Sequence, residues 1–181
     1  MGITLRIQDA DGTPLPQGEV GEIWVAGGSV VDGYWNAPEL TASVTSDGWM
    51  NTGDIGFLDP DGYVYLRGRS RDLIISKGQN IYPAEIENVL SENDDLLEFT
   101  VVGVPDEEYG EVVCAVVVAK DDRAVTAGDV VDFVRERLAS YKKPRHVVFV
   151  DRIPRNPGNK VLKKETAELA IKELGLEAIS Q

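Results

Sequence analysis

The apolar residues of this chain keep one rhythm up to about residue 70 and another after it, so a single repeating architecture cannot hold both. In the first stretch, Ile3-Thr4-Leu5-Arg6-Ile7 and Gly21-Glu22-Ile23-Trp24-Val25 alternate, as strands with one buried face do. Asp11-Gly12 supplies a turn, and Asp61-Gly62 supplies another between Gly56-Phe57-Leu58 and Tyr63-Val64-Tyr65-Leu66. Pro38 opens a short predicted helix over Glu39–Val44, since the first helical position needs no N–H. Beyond residue 71 helices and strands alternate. Pro83 starts a helix with Ile86, Val89 and Leu90 on one face, and Phe99–Val104 and Val112–Val118 are β-branched runs. Thr126-x-x-Asp129 reads as a capping box for a helix aligning Val131, Val134 and Leu138. His146–Val150 is a further strand, and Ala167, Ala170, Ile171 and Leu174 mark a last helix. The expected fold class is α+β: a small antiparallel, β-barrel-like subdomain over residues 1–70, then a mixed α/β C-terminal domain over residues 71–181. The polar Arg67–Asp72 segment joins them.

Composition narrows the function classes. A length of 181 residues suits one domain or two small ones. The net charge of -13 repels phosphate backbones, so nucleic acid is not an expected partner. No apolar run nears the roughly 18 residues of a membrane span. One cysteine, Cys114, and one histidine, His146, make neither an internal disulfide nor a zinc cluster, so no metal site is expected in this chain. Met1 is not followed by a basic stretch and an apolar core, so no signal peptide is read and the expected compartment is cytoplasmic. Against this acidic background, residues 142–164 carry eight basic side chains and the single acid Asp151. That run is either a solvated loop or a site for an anionic ligand such as a nucleotide phosphate. Cys114, in an apolar strand, reads as buried and inert. His146 reads as a surface or satisfied histidine, and Trp24 and Trp35 as packing residues.

Three clusters carry chemistry. In Gly48-Trp49-Met50-Asn51-Thr52-Gly53-Asp54, an Asp in a tight turn suits a ribose diol, although Thr-Gly-Asp is also an ordinary turn. The stretch from Gly68 to Glu87 packs Arg69, Arg71, Gly78 and a helix start into what reads as a charged linker, with Gly78 allowing close backbone approach. In Ile153-Pro154-Arg155-Asn156-Pro157-Gly158-Asn159-Lys160, prolines and a glycine hold a lysine on a pre-shaped loop. A fixed ammonium there meets the need of a phosphoryl group as negative charge develops on it.

In this order and spacing, the clusters resemble the C-terminal part of the adenylate-forming superfamily, which includes acyl-CoA synthetases, aryl-CoA ligases, luciferases and peptide-synthetase adenylation domains. The resemblance runs from about Ile3 to Glu165. It includes Gly33-Tyr34-Trp35-Asn36-x-Pro38-Glu39 and Val104-Pro105-Asp106-x-x-Tyr109-Gly110-Glu111. It implies an enzyme, an AMP-forming acid–thiol ligase. A carboxylate attacks the α-phosphate of ATP to give acyl-AMP and pyrophosphate, and the thiol of CoA then displaces AMP. The resemblance makes Lys160 the catalytic lysine of adenylation and assigns nucleotide binding to Asp54 and Arg69. Arg71 and Asp72 become the hinge, and Gly78, Gln79 and Asn80 the loop lining the CoA tunnel.

Some positions depart from the family. Arg71 stands where Asp or Lys is common, Asn159 where Gly commonly precedes the lysine, and Ile75 where some aryl-CoA ligases carry a lysine. The phosphate loop and the Tyr-Gly-x-Thr-Glu segment, whose Glu binds Mg2+ in the family, have no counterpart here. The resemblance therefore implies a fragment: the last subdomain of the large adenylation domain plus the mobile C-terminal domain, nearly inactive alone. Its implied partners are ATP, CoA, a carboxylic acid, and the N-terminal domain of the same enzyme. Leu73 to Pro83 looks most like fatty-acyl and short-chain ligases, which favours a fatty acid. Two alternatives stand beside this reading: a fatty-acyl-AMP ligase loading an acyl-carrier protein, and a non-catalytic docking module.

Overall fold

The computed structural model describes residues 2–121 and 123–176. The chain divides into two compact units, Met1–Arg71 and Asp72–Gln181.

The first unit is built on β1 (Thr4–Gln8), β2 (Gly21–Ala26), α1 (Pro38–Val44), β3 (Thr45–Ser46), β4 (Trp49–Leu58) and β5 (Val64–Arg69). All pairings are antiparallel: β2 lies between β1 and β4, while β3 pairs with the start of β4 and β5 with its end. Ile7, Ile23 and Ile55 are its buried apolar side chains. Register shifts interrupt the β2–β4 and β4–β5 ladders. Such bulges add local twist, which curls the sheet toward the expected barrel-like form.

Two expectations are corrected here. Residues 49–54 are not a tight turn between elements but the first part of β4. Glu22 pairs with Ile55 and Trp24 with Asn51, so Thr52-Gly53-Asp54 bulges out opposite Ile23 alone. Gly53, at φ +73°, supplies the left-handed residue the bulge requires. Trp35 does not pack against the described residues; it is 98% exposed.

A 3-10 turn over Ser70–Asp72 spans the division between the units. Arg67–Arg69, expected to be part of a polar linker, are instead the end of β5, because the ladder with β4 continues to Asp54–Arg69. The second unit then runs β6 (Ile74–Ser76), β7 (Gln79–Ile81), α2 (Pro83–Leu90), β8 (Leu96–Asp106), β9 (Gly110–Ala119), α3 (Ala127–Arg135), β10 (His146–Phe149) and α4 (Lys163–Leu174). β9 is the centre of its sheet. It pairs antiparallel with β8 along its whole length, parallel with β10 at Cys114–Val117, and with β6 at Gly110.

Strand alternation divides the core of this unit in two. Val113, Ala115 and Val117 join Ile86 and Leu90 of α2 and Val130 and Val134 of α3. Val112, Cys114, Val116 and Val118 join Val148, Ile153 and Ala170 of α4. Both faces of β9 are therefore covered, which is why its sequence is a continuous apolar run rather than an alternating one. The capping box is present: Thr126 Oγ1 accepts the Asp129 N–H, and Asp129 Oδ2 accepts the Thr126 N–H at 2.8 Å.

Candidate functional site

In the first unit, the bulge in β4 and the end of β5 bring Asp54 and Arg69 together. They are direct cross-strand partners, and Arg69 Nε donates to Asp54 Oδ1 at 2.9 Å. The bulge is held by its own side chains. Asn51 Oδ1 accepts the Gly53 N–H at 2.7 Å, Thr52 Oγ1 accepts the Asp54 N–H at 3.1 Å, and the Thr52 hydroxyl donates to Ile23 O. The Asp54 side chain is 28% exposed and that of Arg69 54%. A carboxylate and a guanidinium thus sit side by side on a shaped ledge, able to accept from a diol and donate to an anion.

Lys160 lies in the second unit on the loop between β10 and α4. The Asn156 side chain shapes that loop: Asn156 Oδ1 accepts the Lys160 N–H, and the Asn156 N–H donates to Lys160 O, both at 2.9 Å. Arg155 and Val161 form a bridge across the loop, and the Arg155 guanidinium ties Asn159 O to Glu98 Oε2. Asn159 adopts φ +64°, the conformation a glycine would take, so its departure from the family pattern leaves a left-handed turn intact. Just past the loop, Lys163 Nζ donates to Glu87 Oε1 at 2.9 Å and to Val101 O at 3.1 Å, anchoring the start of α4. The Lys160 side chain is exposed and joins none of the ion pairs among the described residues.

Gly78, Gln79 and Asn80 belong to the β6–β7 hairpin rather than to a loose linker. Lys77 and Gly78 have φ +48° and +77° between the paired residues Ser76 and Gln79, the two positive φ values of a type I′ turn. Beside the hairpin lies a cavity of about 590 Å³ lined in part by Lys77, Gln79, Tyr109, Ser140, Lys143 and Arg145. Lys77 Nζ and Arg145 Cζ stand 4.0 Å and 3.9 Å from the centre of the Tyr109 ring. Lys77 also pairs with Glu108, whose hydrogen bond holds the ammonium pKa above its usual value.

These two loops stand at opposite ends of one long ladder. Arg155 is tied to Glu98, near the start of β8, while Ser76 pairs with Gly110, opposite Asp106 at its end. At about 3.3 Å per residue, Glu98 and Asp106 are roughly 26 Å apart.

The basic run of residues 142–164 is not one anion site. Lys142 grips Glu85 at 2.6 and 2.7 Å; burial lowers its pKa, but that carboxylate more than offsets it and leaves the pKa raised. Lys163 is committed to Glu87, Arg155 to Glu98, and Arg145 faces Asp106. Lys143 and Arg145 nevertheless line the cavity, a role visible beforehand only as local charge. Cys114 is fully buried, and burial pushes its thiol pKa up to about 12, which keeps it inert at neutral pH. Among the described residues, no group of three His, Cys, Asp or Glu side chains is placed to hold a metal ion. No helix among them is long and apolar enough to cross a membrane.

Comparison with known proteins follows the same lines. Residues 85–160 match the family model of the AMP-binding enzyme C-terminal domain. Indoleacetate–CoA ligase of Aromatoleum aromaticum is 45% identical over 174 residues, 96% of this chain and 34% of that protein. A fatty acid–acyl-carrier-protein ligase of Streptomyces coeruleorubidus is 44% identical over 164 residues, 91% of this chain and 32% of that protein. Among solved structures, ATP-bound MatB from Rhodopseudomonas palustris superposes with a TM-score of 0.88 at 39% identity, covering 96% of this chain and 35% of its own. The chain thus spans about a third of the length of the relatives it matches.

Proposed function

We propose that this chain, which belongs to the adenylate-forming superfamily, is the C-terminal third of an ATP-dependent ligase joining a carboxylic acid to a thiol. On this reading residues 1–70 are the last β subdomain of the large adenylation domain, and residues 71–181 are the mobile C-terminal domain. In the first half-reaction a carboxylate oxygen attacks the α-phosphorus of ATP; the bond to the bridging oxygen breaks and pyrophosphate leaves. In the second, the thiol sulfur attacks the acyl carbon and loses its proton, and the acyl–oxygen bond breaks to release AMP. Asp54 accepts from the ribose hydroxyls, and Arg69 fixes that carboxylate and contacts the ribose or phosphate. Lys160 bridges the α-phosphate and the substrate carboxylate while charge builds there. Mg2+ accompanies ATP, with its protein ligand expected on the remainder of the enzyme.

The observation that carries this reading is the separation of the Lys160 loop and the Gly78 hairpin at opposite ends of the β8–β9 ladder. One orientation of the second unit cannot present both to a single reaction centre. A unit that turns about Arg71 and Asp72 between half-reactions can present each in its own step. The basic cavity beside Gly78 suits the phosphates of CoA, whose pantetheine arm would pass Gly78, Gln79 and Asn80.

The acid is proposed to be aliphatic, on the Leu73–Pro83 stretch, and the compartment cytoplasmic. The similarity to a ligase named for an acyl-carrier protein supports a carrier-bound thiol as the second candidate acceptor. The test is acid-dependent ATP–pyrophosphate exchange by the complete enzyme, comparing a fatty acid with indoleacetate, followed by addition of CoA or a holo-carrier protein. The reading expects exchange with the fatty acid and acyl-CoA once CoA is added. Exchange with neither acid, or ADP as the product, contradicts it.

A further inference from the structure

In the segment Val104–Glu111, the place of Glu111 in the fold points to a role of its own. β6, which leads into the Gly78 turn, is joined to β9 by a single registered pair, Ser76 with Gly110. One main-chain hydrogen bond beyond it, Lys77 N–H to Tyr109 O at 3.0 Å, holds the turn itself. One step earlier the ladder would need another main-chain acceptor for Ile75. A side chain takes that place: the Ile75 N–H donates to Glu111 Oε2 at 3.0 Å.

The surroundings are fitted to this carboxylate. Gly103 lies on β8 next to it, and a Cβ there would stand 3.1 Å from Glu111 Oε1 and 3.3 Å from Cδ, so any larger residue crowds the group. The preceding turn is locked by Asp106 Oδ1, which accepts the N–H groups of Glu108 at 3.0 Å and Tyr109 at 2.9 Å. Gly110, at φ +75°, then brings the chain into β9 with Glu111 aimed at β6.

We propose that Glu111 is a positioning residue for the thiol-transfer step: its carboxylate replaces a missing ladder hydrogen bond and fixes the hairpin that carries Gly78, Gln79 and Asn80. Gly103 is the space that lets it do so. The proposal rests on the reading of that hairpin as the wall of the thiol's path, and its test separates the two. A hydrogen bond to a charged acceptor is stronger than one between neutral groups, so its loss is readable in exchange.

The test uses Glu111→Ala, Glu111→Gln and Gly103→Ala. Amide hydrogen exchange across residues 74–81 is measured on this chain, and both half-reactions are measured on the complete ligase. Glu111→Ala is expected to speed exchange at Ile75 at least about tenfold and to raise KM for CoA about tenfold, with ATP–pyrophosphate exchange unchanged within twofold. Glu111→Gln, which keeps an acceptor oxygen, should restore both readouts to within about threefold of the native protein, and Gly103→Ala should fall between. Unchanged hairpin exchange in Glu111→Ala overturns the clamp. Faster exchange with an unaltered KM for CoA overturns the thiol-path reading beneath it. Equal loss of both half-reactions would make Glu111 merely structural and overturn the positioning role.

Discussion

Asn159 stands directly before Lys160 at φ +64°, a conformation that costs most side chains about 1–2 kcal/mol and that Asn tolerates. Asn159→Gly should therefore leave stability within about 0.5 kcal/mol of the native protein. Asn159→Val should lose about 1–2 kcal/mol in chemical denaturation and shift the Lys160 amide resonance. Asp106 and Asp129 make a second prediction. The Tyr109 N–H, then that of Glu108 and the charges of Arg145 and His146, hold Asp106 below the ordinary carboxylate value of 3.8, with burial opposing them. The Thr126 hydroxyl and N–H do the same for Asp129. Both pKa values are lower folded than unfolded, so their stabilisation is complete above about pH 3.8 and is lost as the pH falls through the depressed values. Melting temperature measured down to about pH 2.5 should fall less steeply in the Asp106→Asn, Asp129→Asn double variant, where neither group titrates. Two readings fail at this scale. Thr-Gly-Asp is as much a turn as a bulge until its partner strand is known, and Trp35 carries no sign in the sequence that it lies outside this chain's core.

Where a long apolar period or a local cap marks an element, its sequence announces it, whereas the short strands β6 and β7, with Ile74 and Ile81 buried, read only as a charged linker. β8, β9 and α2 follow from their apolar periods, and α3 from a capping box that needs only a local spacing. Thr126→Ala should lower stability by about 1 kcal/mol in urea denaturation. Ile86 is fully buried between α2 and the sheet, so Ile86→Ala should cost about 2–5 kcal/mol and loosen the second unit as a whole. What periodicity cannot supply is a partner far away in sequence. Lys163 and Glu87 are 76 positions apart, and their ion pair depends on α2 and α4 both packing on β8. The start of α4 at Lys163, ahead of its first apolar mark at Ala167, and the Glu111–Ile75 bond were unreadable for the same reason.

At the scale of the molecule, the chain divides into two units at Arg71 and Asp72, and on the proposed function those two residues are a joint and the second unit works from its two ends. Trypsin should cut first at Arg69 or Arg71 and leave a resistant piece beginning near Asp72; resistant pieces divided elsewhere would misplace the joint. Arg71→Pro fixes φ and removes an N–H, so in the complete enzyme it should slow thioester formation more than adenylation. The central claim is that Lys160 and the Gly78 hairpin serve different half-reactions. The direct measurement is each half-reaction assayed separately in the complete ligase for Lys160→Ala and for Gly78→Asn, a residue that keeps the left-handed turn while adding a side chain to the proposed path of the thiol. Lys160→Ala should reduce ATP–pyrophosphate exchange about 10²–10³-fold and leave thioester formation from supplied acyl-adenylate nearly intact. Gly78→Asn should do the reverse. If Lys160→Ala slows the thioester step from preformed adenylate as much as it slows exchange, the two ends do not divide the labour and the account is wrong.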